Sequence, residues 1–385
     1  MHHASVTPAA HAARQGGAAA LAQALSDSRR DTLATFALYE RNLPGLSVPL
    51  RAELNPPLWE LGHIGWFQTR WLVRNPERAR GPAADARLEH EAADLLYDSS
   101  RVPHDVRWAL PLPDAEATRA ELAQQLDRTL ALLRETPAGD AALYFFRLAL
   151  LHEDMHHEAA LYSARTLGIA IDDARWQAAA LPEPQSALAI GAGSWMLGSA
   201  QESGFSFDNE LRAHRVELGA TLMDAQVVRW DQFLPFVESG GYRDERWWSV
   251  AGRRWCAGQP QRTDRWQALN GAQAACHLNF HEAQAWCNWA RRRLPTEAEW
   301  ERAAINHPQA FRWGEVWEWT SSLFAPYPGF EAHPYREYSQ PWFDGRPVLR
   351  GGSYLTQPRM KHSRYRNFFP AERNDIATGF RSCAI

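Results

Sequence analysis

The feature that most constrains this chain is a break in its hydrophobic pattern at Pro182–Pro184. Before the break, apolar residues recur at helical spacing over long stretches. After it, glycine, tryptophan and short apolar runs take over, as strands and loops require. With 385 residues the chain is long enough for two cores, and the break places one on each side. The first 16 residues read as a loose disordered tail, residues 17–180 as a helical unit and residues 186–385 as a mixed α/β unit. Charged residues make up 22% of the chain and the formal net charge is −4, which offers no polycationic face for nucleic acid or an anionic membrane. No apolar run reaches the roughly 20 residues needed to cross a bilayer, and the N-terminus lacks the apolar stretch of a signal peptide. Cys256, Cys276, Cys287 and Cys383 form no CxxC pair; they read as reduced thiols of a cytoplasmic protein.

Within the first unit, helices are expected over residues 17–41, 55–73, 114–134 and 141–167. Proline opens the second at Pro56-Pro57, Asp114 caps the third and Gly168 closes the fourth. A long polar loop, residues 75–112, separates the second and third. Four helices with one long crossover make a bundle. In the second unit, residues 189–198 read as a strand, a turn and a strand. One helix is expected over residues 280–292, and the capping box Thr296…Glu299 starts another.

The fourth helix carries His152 and His156. A four-residue spacing stacks two imidazoles on one helix face, and two imidazoles one turn apart can share a metal ion. His63, on the inner stripe of the second helix with Trp59 and Phe67, is the candidate third ligand. Glu153, Asp154 and His157 point at other angles. Three neutral imidazoles leave open positions on an ion. That suits Fe(II) handling O2 and substrates together, although the same set also holds zinc.

Two motif sets carry a family resemblance. Asn55-Pro56-Pro57-Leu58-Trp59-Glu60-Leu61-Gly62-His63, followed by His152-Glu153-Asp154-Met155-His156, resembles the DinB-like helical bundle of ergothioneine sulfoxide synthases. Arg293-Leu294-Pro295-Thr296-Glu297-Ala298-Glu299-Trp300, Gly314-Glu315-Val316-Trp317-Glu318-Trp319-Thr320, Leu349-Arg350-Gly351-Gly352-Ser353-Tyr354 and Gly379-Phe380-Arg381 resemble the formylglycine-generating-enzyme (sulfatase-modifying-factor) domain. The resemblance implies an α+β multidomain protein: a DinB-like four-helix bundle followed by a C-type-lectin-like α/β domain. It also implies a nonheme iron, Fe(II), held by His63, His152 and His156. The implied reaction is an O2-dependent joining of sulfur or selenium to the imidazole C2 of hercynine, the trimethylated betaine of histidine. Formylglycine generation needs two cysteines after the Gly-Gly-Ser-Tyr motif, and Thr356 and Lys361 stand there instead.

The same resemblance nominates Tyr335 and Tyr338 as catalytic tyrosines. It nominates Arg101, Met155, Asn367, Phe368, Phe369 and Arg373 as substrate-binding residues, with Phe368 and Phe369 walling a trimethylammonium pocket. Arg107 is a further loop arginine able to meet a carboxylate or sugar. Trp317 and Trp319 read as core. Met155 replaces a glutamine, and Phe369 an aspartate, of the enzymes that use γ-glutamylcysteine. With Asp98-Ser99-Ser100-Arg101, this points to the selenoneine synthase branch, whose donor is a selenosugar. Alternatives are a sulfoxide synthase using γ-glutamylcysteine or cysteine, a zinc-dependent DinB-like thiol transferase, and a ligand-binding protein that exploits the lectin-like half.

Overall fold

A computed structural model describes residues 7–85, 88–200, 204–259 and 269–385. Its first half is helical: α1 (Pro8–Gln15), α2 (Ala18–Asn42), α3 (Pro57–Gln68), the single turn α4 (Asp94–Tyr97), α5 (Ala115–Glu135) and α6 (Asp140–Thr166). The long helices match the expected spans to within a residue or two, except that α3 ends at Gln68 and continues as a π turn, Thr69–Val73.

Helix α6 is the shared axis of the molecule. Its residues 143–154 are buried without interruption, so it is surrounded on every side and its polar side chains need partners. Glu153 accepts from Arg29 at 2.8 Å and from Gln68 at 2.8 Å. Asp154 accepts from Ser28 and Arg359. His157 lies 3.0 Å from Thr35. One carboxylate oxygen of Glu158 takes three donors, all at 2.8 Å, from Trp317, Ser353 and Thr356. One side of α6 thus packs on α2 and α3, and another is stitched to loops of the second half. Leu167 and Gly168 close the helix. Gly168 has φ +73°, and the amide of Ile169 reaches back to the carbonyl of Ala164, the glycine-dependent closure read from the sequence.

The expectation of a loose tail over residues 1–16 is corrected. Residues 1–6 lie outside the described set, but Pro8–Gln15 form α1, capped by the Thr7 side chain. The guanidinium of Arg14 is buried against Glu210 of the second half, at 2.6 and 2.8 Å. An eight-residue helix is marginal alone, so tertiary pairing rather than local propensity holds it.

The second half contains β1 (Leu188–Ile190), β2 (Gly193–Leu197), β3 (His214–Leu218), β4 (Thr221–Met223), α7 (Trp230–Glu238), α8 (Val250–Ala257), α9 (Phe280–Trp289), β5 (Arg292–Arg293) and α10 (Glu297–Asn306). These are followed by β6 (Trp317–Leu323), β7 (Pro347–Gly351), β8 (Asn367–Phe368), β9 (Thr378–Gly379) and β10 (Cys383–Ala384). Among the described residues the sheets run β1-β4-β10-β5, β2-β3 and β8-β7-β6-β9, with only β6 and β9 parallel. The two strands expected over residues 189–198 exist but join different sheets: β1 pairs with β4 and β2 with β3. Helices α7 and α8 were not foreseen. Strand β6 is buried on both faces through Trp317, Glu318, Trp319 and Thr320. Glu318 accepts from Trp300 and is bridged twice by Arg381. Among the described residues no helix is long and apolar enough to cross a membrane.

Candidate metal centre and its chamber

Helices α3 and α6 bring His63, His152 and His156 together. One ring nitrogen from each lies within 4.8 Å of the others, and the ring centroids are 4.4–5.1 Å apart. The nitrogen pointing away from the cluster is fixed on two of the rings. The Nδ1 of His63 is 2.7 Å from the carbonyl oxygen of Tyr97. A carbonyl only accepts, so Nδ1 carries the proton and Nε2 keeps its lone pair. The Nδ1 of His156 is 2.5 Å from Glu60, which assigns its Nε2 the same way. Such a partner behind a ligating histidine fixes tautomer and ring angle. The third ring, His152, lies face to face on Phe67 at 3.5 Å, and its Nε2 is buried with no hydrogen-bond partner among the described residues. Buried polar atoms are rarely left so, and a shared cation would satisfy it.

Electrostatics favour the same end. Burial and the neighbouring His156 push the His63 imidazolium down to about 3, and burial holds His152 well below the usual histidine range. Both rings are therefore neutral donors near pH 7. Burial works against the charge on Glu60, yet His156 and His63 beside it carry the carboxyl down to about 2. The cluster has one permanent negative charge behind it. Replacing Glu60 with glutamine removes that charge but keeps an acceptor for His156. Iron affinity, measured by competition with a chelator, should fall about 10- to 100-fold.

Glycine sets the spacing on α3. A Cβ at Gly62 would stand 2.3 Å from the Tyr97 ring, so Gly62→Ala must displace the buried ring of the residue whose carbonyl holds His63. The variant should load less than half the iron of the wild type under equal conditions, with its helical circular dichroism retained.

Access to the cluster is one-sided. His63 and His152 are each 2% exposed, whereas the side chain of His156 is 21% exposed. His156 and Glu60 line a cavity of about 180 Å³. Its walls include the aromatic rings of Phe36, Tyr39 and Tyr162, the carboxylate of Glu53 and, from the second half, Arg373.

The other expected site residues are distributed unevenly. Tyr335 is near the cluster, edge-on to Phe67 at 5.0 Å and 6.1 Å from the His152 ring, and burial raises its phenol above the ordinary value. Tyr338 sits one layer back, stacked on Phe207 at 4.4 Å. Met155 is flanked by the two helical histidines and accepts from the hydroxyl of Tyr365 at 3.4 Å. Arg373 pairs with Asp375 at 2.6 Å, covers Phe369 and lines the chamber.

Three nominated residues lie away from this cavity. Arg101 is exposed and engaged with Asp98 and His90 on the loop. It is Arg107 that reaches inward, stacking 4.0 Å over Trp59 and donating to Asn55. Asn367 turns its side-chain oxygen to the amide of Phe368, and Phe368 stacks on Phe324 at 4.0 Å; neither lines the chamber. Its aromatic wall comes instead from α2 and α6, through Phe36, Tyr39 and Tyr162. Glu60 was also missed. Glu60 could have been found, since it lies one turn before His63 on the same helix.

Comparison with known proteins agrees with this construction. Residues 174–315 and 310–384 match the family described as the sulfatase-modifying factor enzyme 1-like domain. Hercynine oxygenase of Mycolicibacterium smegmatis is 29% identical over 433 aligned positions, which cover 94% of this chain and 97% of that protein. Hercynine oxygenase of Mycobacterium tuberculosis is 28% identical, covering 85% of this chain and 90% of its own. Formylglycine-generating enzyme of Bos taurus is 29% identical over 163 positions, only 34% of this chain. The hercynine oxygenases align with helical and mixed halves alike, whereas the bovine protein aligns with about a third of the chain. In this chain the helical unit bearing three clustered histidines precedes a domain of the sulfatase-modifying factor family, to which the chain belongs, and its likeness to the hercynine oxygenases over nearly its whole length makes it an oxidoreductase of their type.

Proposed function

We propose that this protein binds Fe(II) through His63, His152 and His156 and uses O2 to join a selenium atom, delivered by a selenosugar, to the imidazole C2 of hercynine. The observation that carries the reading is the histidine cluster itself: one buried ring nitrogen lacks a partner among the described residues, and the two rings beside it have their outer nitrogens pinned. The donor set is all imidazole, which suits iron, and leaves positions open. Iron bound there supplies the redox chemistry by which O2 is activated.

The chain's own residues do the rest. The chamber offers a betaine two kinds of contact: aromatic faces and the Glu53 carboxylate for the trimethylammonium group, and Arg373 for a carboxylate. Phe67 and Tyr335 pack against the His152 ring and keep bulk water from that side. Burial raises the phenol of Tyr335, so it keeps its proton at neutral pH and its Oη offers a hydrogen-bond donor beside the cluster. Selenium rather than sulfur is favoured by Met155 and Phe369, which present neither an amide nor a carboxylate to an amino-acid donor.

A sulfur-using reading has an observation of its own in Arg373, which retains the carboxylate-binding chemistry a γ-glutamylcysteine donor needs. The test is Fe(II) loading under nitrogen, then O2 and hercynine with either a selenosugar or γ-glutamylcysteine, with products identified by mass spectrometry. A selenium-containing imidazole adduct supports the proposal. A sulfoxide formed only with the thiol assigns the sulfur branch. Turnover of a thiol without O2 uptake would replace both with a zinc-type transferase.

A further inference from the structure

Beside the histidine pair lies a short chain of hydroxyl groups that the proposed reaction has not yet used. The hydroxyl of Tyr338 donates to that of Tyr365 at 3.0 Å, and Tyr365 donates to the sulfur of Met155 at 3.4 Å. Met155 is three residues after His152 and one before His156, so on α6 its side chain flanks the cluster. Tyr365 is buried and its ring is fixed between Trp317 and Phe207, each at 5.5 Å.

This arrangement is unusual in one respect. A thioether is a weak acceptor, and a buried hydroxyl normally finds a strong one. With Tyr338 donating to it, Tyr365 cannot donate back along that bond, and among the described residues the acceptor its hydroxyl meets is the Met155 sulfur. The proton of Tyr365 is left pointing at the flank of the histidine cluster, held there by an atom that binds it poorly. A ligand oxygen, carboxylate or anionic chalcogen arriving beside Met155 offers that proton a better acceptor at small cost in reorganisation. The donation from Tyr338 also strengthens the Tyr365 O–H as a donor, since bonds in such a chain polarise one another.

We propose that Tyr365 is a substrate-binding residue of this site: its hydroxyl leaves the Met155 sulfur and donates to an electron-rich atom of the bound hercynine or of its chalcogen donor. Tyr338 acts behind it as a positioning residue. The inference rests on the function proposed above, and it adds a hydrogen-bond donor that neither the motifs nor the chamber lining indicate.

The test is Tyr365→Phe, which removes one oxygen and keeps the ring. Wild type and variant are loaded with Fe(II) under nitrogen and titrated by calorimetry with hercynine, and separately with the selenosugar and with γ-glutamylcysteine. Iron content and melting temperature should match the wild type, while Kd for one of these ligands rises about tenfold, the worth of one hydrogen bond to a charged or strongly polar acceptor. Tyr338→Phe should raise the same Kd by a smaller factor. Unchanged Kd values for all three ligands in Tyr365→Phe would overturn the proposal. So would a loss of affinity that merely tracks a loss of iron or of folded protein. Failure of the wild type to bind hercynine is a different result and removes the functional reading instead.

Discussion

His152→Ala is expected to leave a folded protein that neither retains iron through gel filtration nor consumes O2 with hercynine and a chalcogen donor. The physical reason is specific to this ring. His63 and His156 each keep a protein partner for their outer nitrogen, but His152 Nε2 has none among the described residues, so its place is explained only by what it faces. Two remaining imidazoles make an incomplete site on the ridge between α3 and α6, and loss of one ligand from a three-histidine set costs several kcal/mol of metal binding. Turnover should drop by at least about a thousandfold, the scale of removing a component that acts as a unit with the others. Phe67, stacked on the lost ring, keeps its other contacts with Trp71 and Tyr335, so helical circular dichroism should persist. Activity above about a tenth of wild type in iron-free buffer would remove the histidine cluster from the chemistry.

Arg381→Met is expected to have the largest effect on stability. Arg381 and Glu318 are both fully buried, with their closest contact at 2.5 Å. The guanidinium also donates to the carbonyls of Asp224 and Arg312 and lies 3.6 Å above the Phe311 ring. A methionine fills similar space but leaves Glu318 as a buried charge with, among the described residues, only Trp300 donating to it. Breaking one side of such a pair costs about 4 kcal/mol, and a loss of that size lowers Tm by roughly 8–16 °C for a unit of this length. Adding Glu318→Gln to Arg381→Met should recover part of the loss, because the stranded charge is then gone. If the single variant melts with the wild type in differential scanning calorimetry, the pair does not hold the second half together as described.

That pair also shows what could be read in advance. Gly379-Phe380-Arg381 and Val316-Trp317-Glu318-Trp319 stand out in the sequence as motifs, but nothing in their spacing says that an arginine from one meets a glutamate from the other inside the sheet layer. The helical half was more legible. Long helices with proline at the start, a capping aspartate and a closing glycine declare their own limits, and His152 and His156 share a face by arithmetic alone. His63 is different in kind. Which residue comes from across a bundle is decided by tertiary packing; the inner stripe shared with Trp59 and Phe67 made His63 a candidate, and the resemblance singled it out. Glu60 was readable from its position one turn before His63, yet the histidine it serves is His156 on another helix.

The misses have physical causes. Pro8–Gln15 is too short to register as a helix without its partner Glu210. Helix α7 has apolar residues at helical spacing, Trp230, Phe233, Leu234 and Val237, but it is only nine residues long and carries Pro235 inside, so it did not stand out from the loop-rich run around it. The chamber escaped because its lining is assembled from α2, α3, α6, the 52–55 loop and Arg373, five places with no common motif. Arg101 was nominated over Arg107 because loop arginines carry no periodicity. Only the stacking on Trp59 tells the inward one from the outward one.

Iron K-edge X-ray absorption on the Fe(II)-loaded protein under nitrogen tests the central claim most directly. The account predicts scattering from three imidazole rings and from weaker oxygen ligands that change when hercynine is added, and it predicts two rings or no bound iron in His63→Ala. A spectrum with fewer than three imidazoles in the wild type, or one that His63→Ala leaves unaltered, would contradict it.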